Sequence, residues 1–240
     1  MKPLRIFRHV VCEPPSYLCH YLARHNIPYD IICLDEGLSV PEGLDDVSGL
    51  VFMGGAGSVN DSKQWIIQEL DLIKQADKQK LPVLGICFGA QLISKALGGT
   101  VLECQTMEIG WHEVESVKFE TLSDENKNLW LTDLPAQFEV FQWHAHTFSV
   151  PSGATALWRN SCCEQQGFAK DKILAAQFHL EVTANSILEL TKRYASDLSH
   201  ASECVQTAEQ LTDHLNERVN RLHLTADKIY ARWLTMAKLI

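Results

Sequence analysis

The 240-residue sequence predicts an α/β fold, in which a doubly wound, mainly parallel sheet is flanked by helices and followed by a helical C-terminal extension. The first observation is that short apolar runs alternate with segments of helical periodicity over the first hundred residues. Such alternation is typical of a parallel sheet with helical crossovers. The second is that residues 100–177 consist of short β-type runs separated by turns, and the third is that a helical pattern dominates from residue 201 onward.

The elements are predicted in order along the chain. Apolar runs predict strands at residues 4–7, 29–34, 49–53 and 83–86, with a helix at 16–25 and a second helix that is capped near Asp61 or Ser62 and continues to about residue 80. A helix begins at Phe88 and is closed by Gly98 and Gly99, because glycine suits a helix C-terminus. Strands follow at 101–104, 111–119, 138–143 and 154–158, then a returning central strand at 172–178 and a helix at 183–196. We expect an α/β domain over residues 1–196, with the extension over 197–240 packed on it.

Composition excludes several classes of function. The net charge of −9, with no basic cluster, argues against a nucleic-acid partner. No apolar run approaches the roughly 18 residues of a membrane span, and the N-terminus lacks the apolar core of a signal peptide. The eight cysteines contain no Cys-x-x-Cys pair, which favours reduced thiols over a disulfide framework or zinc site. We therefore expect a cytoplasmic protein with no bound metal or cofactor.

Cys87 lies at a predicted strand-to-helix turn, with Gly85 and Gly89 on either side. A Gly-x-nucleophile-x-Gly turn needs glycines because a Cβ at either position would crowd the chain as it doubles back. The helix N-terminus stabilises a thiolate, and the next backbone N–H can reach an oxyanion. We interpret Cys87 as a nucleophile and expect it to be the one hyper-reactive thiol.

His179 and Glu181 follow the returning strand, at the sheet edge where Cys87 is also expected. A cysteine nucleophile needs a base to move its proton, and the base needs a partner that fixes its orientation. Residues two apart in an extended segment project to the same side, so Glu181 can hold the second nitrogen of the His179 ring. By themselves the two residues favour a structural explanation, with His179 a hydrogen-bonded histidine at a strand end and Glu181 an acid in the first turn of the next helix; beside Cys87 they favour catalysis.

The glycine-rich stretch 54–58 follows the predicted third strand. It lacks the Lys-Ser/Thr of a P-loop and the spacing of a dinucleotide-binding motif. A backbone rich in glycine frees N–H groups to face a ligand, which suits a second oxyanion donor.

Three segments together resemble the signatures of class I (triad-type) glutamine amidotransferases: residues 85–91 around Cys87, the Gly54-Gly55-x-x-Ser58 loop and residues 177–181. More narrowly, the chain is similar to stand-alone, GMP-synthase-like amidotransferase proteins of bacteria, which also carry segments like 108–111 and 143–148. The likeness covers nearly the whole chain. It implies the flavodoxin-like variant of the predicted fold.

The resemblance implies that Cys87 attacks the γ-carboxamide of glutamine to give a thioester. His179 would shuttle the proton and Glu181 would orient it. The backbone N–H groups of Gly55 and Phe88 would form the oxyanion hole. Ammonia would leave first, and water would then release glutamate.

The same resemblance implies that Gln91 and the backbone of Ala145 and His146 bind the amino and carboxylate ends of glutamine. Two positions depart from the family pattern. Ala56 stands where the family usually has proline, so the oxyanion loop has more freedom. Ala145 and His146 replace the usual Gly-Asp, which leaves recognition of a free α-amino group open.

Several side chains have no settled role on sequence alone. Trp111, Trp143 and His144 are either pocket or core residues, and Glu108 has no assigned role. No acceptor domain is recognisable, so ammonia would pass to a separate ammonia-accepting synthase or be released.

Other functions remain open. The same triad serves a γ-glutamyl peptidase or another amide hydrolase. A non-catalytic binding or regulatory protein could keep the fold, and so could a cysteine-based redox or stress protein of the DJ-1-like superfamily. The His179–Glu181 pair argues against the last two, because neither needs an oriented base.

Overall fold

The computed structural model describes residues 1–117 and 129–240. Its strands are β1 (Leu4–Arg8), β2 (Tyr29–Cys33), β3 (Gly49–Phe52), β4 (Val83–Ile86), β5 (Val101–Ser116), β6 (Gln137–Phe148), β7 (Thr155–Arg159), β8 (Gly167–Lys170) and β9 (Ile173–Ala176). Its longer helices are α1 (Ser16–Arg24), α2 (Gln64–Gln79), α3 (Phe88–Ala96), α4 (Ala184–Arg193), α5 (Ala208–Thr212) and α6 (Leu215–Ala237). Short 3₁₀ turns lie at Leu34–Glu36 and Ala195–Leu198.

The strands form one sheet in the order β2-β1-β3-β4-β9-β8-β7-β5-β6. The five strands from β2 to β9 pair in parallel, and the remaining four continue the sheet in antiparallel pairs. The predicted α/β class with a C-terminal helix is confirmed, and the sheet is mixed. Because β4 and β9 pair in register up to Ile86 and Ala176, the chain leaves both strands at one edge.

The β-rich part differs in detail from the prediction. The strands expected at 101–104 and 111–119 form a single long strand, β5, whose pairing with β6 shifts register between Glu103 and Glu108. Residues 118 and 119 lie outside the described residues. Strand β8 is not predicted, because Gly-Phe-Ala-Lys is too short to show either an apolar run or an alternation. The helical tail consists of two pieces, α5 and α6.

Apolar side chains pack on both faces of the sheet. Alternate residues of β3 face opposite clusters: Leu50 and Phe52 lie with α2 and α3, whereas Val51 lies with α1 and α6. The cluster that contains Val51 also includes Tyr230 and Trp233 of α6, which are completely buried. The extension therefore shares its core with the sheet.

The expectation of reduced cysteines is wrong for two of the eight. Cys162, in the turn between β7 and β8, forms a disulfide with Cys204 across 42 residues of sequence. Cys204 is brought there because Val205 forms an isolated parallel bridge with Ile109 of β5. A pairing set by such long-range docking leaves no local motif in the sequence.

Within residues 1–117 and 129–240, none of the helices combines the length and apolarity that a membrane crossing requires.

Candidate active site

A cavity of about 220 Å³ opens at the sheet edge where β3 and β4 end. Six of the eight predicted site residues line it: Gly55, Cys87, Phe88, Gln91, Ala145 and His146. The other two, His179 and Glu181, are buried, with about 1% of each residue exposed. The volume suits a small metabolite better than a drug-sized ligand, whose pockets run to roughly 300–1,000 Å³.

The turn at Cys87 is strained and tightly packed. Cys87 has φ = 51°, in the left-handed region, and it precedes the first residue of α3. A Cβ on Gly89 would lie 2.0 Å from the carbonyl oxygen of Phe52, and the N–H of Gly89 donates to Met53 O at 3.1 Å. The end of β3 therefore touches the first turn of α3, which brings the glycine loop beside Cys87.

The His179 ring is held by the carboxylate of Glu181, two residues further along the chain. Nδ1 of His179 lies 2.7 Å from Oε1 of Glu181, and Oε2 of Glu181 accepts from the Leu180 N–H at 2.9 Å. The backbone N–H of His179 donates to Phe141 O at 2.8 Å. With both carboxylate oxygens occupied, the ring is fixed with Nε2 free; that buried atom has no well-aligned partner among the described residues.

The Cys87 sulfur and the His179 ring interact electrostatically. Burial raises the pKa of the Cys87 thiol, the His179 charge opposes this shift, and the carboxylates of Glu13 and Glu181 add to it. Burial by itself would lower the pKa of His179, but the charges of Glu181 and Cys87 raise it well above the ordinary value. Contacts of this kind are often loose without substrate and tighten when it binds.

Two residues that line the cavity, Gly55 and Phe88, have backbone N–H groups for which no described residue supplies an acceptor. In the described part of the chain, no acceptor takes the Gly55 N–H. Phe88 is the first residue of α3, so its N–H has no intrahelical acceptor. Both residues line the cavity with Cys87, which allows the two N–H groups to converge on an oxygen bound there.

Gln91 connects two walls of the cavity. Its Nε2 donates to His146 O at 3.1 Å and to Oε1 of Gln177 at 3.3 Å. Because the amide nitrogen is already engaged, Gln91 braces the strand that carries Ala145 and His146.

The aromatic residues left open by the sequence divide between pocket and core. Trp143 and His144 line the cavity, whereas Trp111 is buried and donates from Nε1 to Leu211 O. The Trp143 indole donates to Asp197 Oδ2 at 3.2 Å.

Glu108 has a structural explanation. Its carboxylate is buried and accepts from His144, Asn160 and Gln166. Ligand atoms of Glu108, His144 and Cys163 lie within 4.8 Å of one another, but these donors already occupy the carboxylate. The Glu108 group thus holds β6 in place behind the cavity.

Cys163 is a second thiol whose surroundings favour the thiolate, and the expectation that Cys87 is the one hyper-reactive thiol stays a prediction. A hydrogen bond from the neighbouring Cys104 outweighs burial and lowers the pKa of Cys163 to about 6. Cys163 is buried, and the residues around it in the sequence do not indicate a role for it. Cys104 and Cys163 are 59 residues apart, so sequence alone does not indicate their contact.

Sequence reasoning missed four polar residues at this site: Glu13 and Asp197 line the cavity, and His9 and Glu69 lie beneath the glycine loop. His9 directly follows β1, so the sheet-edge rule used for His179 applies to it equally. Glu69, in the middle of α2, carries no comparable signal.

Known proteins that are similar to this chain are named as enzymes that act on glutamine or on γ-glutamyl compounds. The glutamine amidotransferase class-I family model matches residues 16–192. The chain is 32% identical over 140 residues to a GMP synthase [glutamine-hydrolyzing] of Thermomicrobium roseum, covering 56% of this chain and 23% of that protein. It is 28% identical over 153 residues to gamma-glutamyl peptidase 4 of Arabidopsis thaliana, covering 62% of this chain and 60% of the peptidase. The matched part thus spans less than two thirds of either relative.

A solved structure matches over almost the full length. It is a glutamine amido transferase from Methylobacillus flagellatus, 32% identical, with a TM-score of 0.91 over 98% of this chain and 95% of that one.

Proposed function

Since the chain belongs to the class I glutamine amidotransferase family, we propose that it hydrolyses the γ-carboxamide of glutamine or of a related γ-glutamyl compound. Cys87 is the nucleophile, His179 the general acid and base, and Glu181 its orienting partner. The products are ammonia, or an amine, and glutamate.

One observation carries this proposal: a cysteine at a helix N-terminus shares a small cavity with two unpartnered backbone N–H groups, and its thiol interacts with the buried His179–Glu181 pair. A nucleophile, an oriented base and preorganised oxyanion donors are the components that acyl transfer needs.

The first half-reaction forms a thioester. The Cys87 sulfur attacks the amide carbon after its proton passes to His179 Nε2. The N–H groups of Gly55 and Phe88 donate to the developing oxyanion. His179 then protonates the leaving nitrogen, the C–N bond breaks, and ammonia departs.

The second half-reaction regenerates the thiol. His179 takes a proton from water, the hydroxide attacks the thioester carbon, and the same two N–H groups bind the second oxyanion. The C–S bond breaks, Cys87 recovers a proton from His179, and glutamate leaves.

A γ-glutamyl peptidase-like activity is the second candidate, and the aromatic side chains of the cavity favour it. Among the described residues, the cavity lining contains two acidic side chains, Glu13 and Asp197, and no lysine or arginine. The α-carboxylate of the glutamyl group, which both kinds of substrate share, meets no lysine or arginine there, and a substrate extended beyond the γ-carbonyl can place its additional group against Trp143 and Tyr194.

A substrate panel decides between the two. Purified protein would be incubated with glutamine, γ-glutamyl dipeptides and γ-glutamyl p-nitroanilide, with ammonia or amine release recorded and Cys87→Ala as the blank. Preference for glutamine supports the amidotransferase, and preference for the extended compounds supports the peptidase. Release from none of them by the wild type would contradict the proposed function.

We also propose that any ammonia produced goes to a separate synthase. The support is that the matched GMP synthase contains much more chain than the 23% that aligns here. Co-purification with a synthase, and stimulation of glutamine hydrolysis by it, would test this.

A further inference from the structure

A buried histidine–carboxylate pair lies directly beneath the glycine loop. Nε2 of His9 is 3.1 Å from each carboxylate oxygen of Glu69, and Nδ1 of His9 is 3.0 Å from the carbonyl oxygen of Gly54. The side chains of His9 and Glu69 are 1% and 0% exposed. The ring packs against Trp65 and Phe88, with centroids 5.3 and 5.1 Å away. A polar pair this deep in an apolar setting is costly unless it has a function or a compensating network.

The direction of the hydrogen bond to Gly54 follows from its acceptor. A carbonyl oxygen can only accept, so Nδ1 of His9 carries a proton. If Glu69 is ionised, His9 is an imidazolium that donates from both nitrogens. If Glu69 holds the proton, Nε2 accepts it and Nδ1 still donates. Burial would lower the pKa of His9, but the neighbouring charges of Glu69 and Glu13 raise it, while burial raises the pKa of Glu69; Nδ1 donates to Gly54 whichever partner holds the shared proton.

This hydrogen bond determines where the Gly55 N–H points. The peptide bond between Gly54 and Gly55 is trans, so its C=O and N–H point in opposite directions. With the carbonyl held on His9, the N–H is directed away from His9, and Gly55 lines the cavity with Cys87. A glycine–glycine peptide rotates with little steric resistance, so it needs such a restraint. Ala56 also lacks the ring by which a proline at this position would fix its own φ.

We propose that His9 and Glu69 are positioning residues that hold the Gly54–Gly55 peptide with its N–H toward the oxyanion. The inference rests on the proposed function, because it assigns Gly55 to the oxyanion hole. Glu69 fixes the ring of His9, and His9 fixes the peptide.

The opposite wall of the cavity is built in the same way. Nδ1 of His144 lies 3.0 Å from His146 O, and Nε2 of His144 lies 3.0 Å from Oε2 of Glu108. Both side chains are 1% exposed. Two imidazole–carboxylate pairs thus each hold a backbone carbonyl at the cavity, that of Gly54, next to the lining residue Gly55, and that of the lining residue His146.

Two amide variants, each able to replace one ring nitrogen, separate the two hydrogen bonds of His9. In His9→Asn, the amide nitrogen can replace Nδ1 and keep the bond to Gly54, while contact with Glu69 is lost. In His9→Gln, the longer amide can replace Nε2 and keep Glu69, while the bond to Gly54 is lost. Ala76→Gly is the matched control, because it lies in the same helix as Glu69, is fully buried and weakens the fold without touching the cavity.

We expect His9→Gln to lower kcat by roughly 10²-fold, near the lower limit for losing one oxyanion donor, with KM changed much less. His9→Asn should retain kcat within about tenfold of the wild type, although Glu69 loses its partner. Ala76→Gly should lower the melting temperature and leave kcat unchanged. A kcat for His9→Gln equal to that of the control would overturn the proposal, and so would an equal loss in both His9 variants.

Crystal structures of the two His9 variants provide a readout that does not depend on turnover. The Gly54–Gly55 peptide should rotate in His9→Gln and keep its orientation in His9→Asn. If the wild type hydrolyses no compound of the panel, the proposed function fails, yet these structures still decide whether His9 fixes the peptide. An unchanged peptide in His9→Gln would show that it does not.

Discussion

Glu13 is a carboxyl group at the cavity that the proposed mechanism does not use. Its charge raises the pKa of Cys87, and burial raises the pKa of Glu13 itself. Its Oε2 lies against Gly54, where an added Cβ would be 1.9 Å away. A negative charge so close to a thiol opposes formation of the thiolate wherever Glu13 is ionised.

We therefore expect Glu13→Gln to shift the pH dependence of Cys87 alkylation toward lower pH. The sign follows from the charge: removing an anion that raises the pKa of Cys87 lets the thiolate form at lower pH. The measurement is the rate of iodoacetamide labelling at Cys87 between about pH 5 and 10, a range that brackets the ordinary pKa of a thiol. Peptide mapping identifies the labelled cysteine. Asp71→Asn, on the exposed face of α2, is the control, and a profile that moves toward higher pH would contradict the argument.

Glu181 uses both carboxylate oxygens, which determines the effect of replacing it. An amide in Glu181→Gln can present its oxygen to either His179 or the Leu180 N–H, but its NH₂ then faces the other donor. We expect kcat to fall by roughly 10⁴-fold, less than the roughly 10⁶-fold loss in Cys87→Ala and His179→Ala. Steady-state kinetics on the best substrate of the panel measures all three variants. A loss in Glu181→Gln as large as in Cys87→Ala would mean that Glu181 does more than orient the ring.

At the level of single residues, position was predictable where a functional group lies at or just beyond a strand end. Cys87 directly follows β4, His179 lies three residues beyond the end of β9, and pairing of β4 with β9 brings the two strand ends together. The buried residues that support the site were harder to predict from sequence. The contact between His9 and Glu69 spans 60 residues and depends on how α2 docks on the sheet, which no local pattern reveals.

Gly89 connects two elements of the site, the end of β3 and the first turn of α3. A Cβ there would lie 2.0 Å from one backbone oxygen and 2.6 Å from the adjoining carbon of Phe52, which cannot move aside as a flexible side chain could. We expect Gly89→Ala to destabilise the fold by about 3 kcal/mol or more. Thermal denaturation and soluble yield measure this.

Gly98→Ala provides the comparison for that variant. Gly98 has φ = 91° and no atom within 4 Å of an added Cβ, so its substitution meets backbone strain without a clash. A cost of about 1–2 kcal/mol is expected. If Gly89→Ala were as stable as Gly98→Ala, the close approach of β3 to α3 would be incorrect.

Among the elements, the first four strands and their helices could be predicted because each is a short apolar run followed by a helical repeat. The antiparallel half was harder. β5 was divided in two because Glu103, Gln105 and Glu108 interrupt its apolar pattern where the register shifts. β8 is only four residues long and pairs on both sides with strands that supply its context.

At the scale of the whole molecule, the Cys162–Cys204 disulfide links the turn between β7 and β8 to the segment that precedes α5. Closing a loop of this length stabilises the folded chain by roughly 2–4 kcal/mol, chiefly by restricting the unfolded state. We expect a reducing agent to lower the melting temperature of the wild type and to leave that of the Cys162→Ser/Cys204→Ser double variant unchanged. Cys33→Ser is a control with a free, half-buried cysteine. Equal melting temperatures of the wild type with and without reductant would exclude the bond.

The helical extension illustrates the limit of sequence reasoning about domains. The sequence shows the helical repeat of residues 215–237 plainly, but it does not show which parts of the chain this helix packs against. Trp233 donates to Lys172 O at 3.2 Å, and His223 lies 2.8 Å from Val182 O, contacts that tie α6 to the sheet. The boundary at residue 196 stays a prediction, and limited proteolysis with refolding of the 1–196 fragment would test it.

The same disulfide closes a covalent ring of chain, and His179 and Glu181 lie inside it. Residues 199–203, also within the ring, are exposed. A protease that cuts there severs the main chain without dividing the molecule, because the two fragments stay linked through sulfur. Such a nicked form would run as a single band without reductant and as two bands with it, and the piece carrying His179 and Glu181 would remain attached to the piece carrying the last helix.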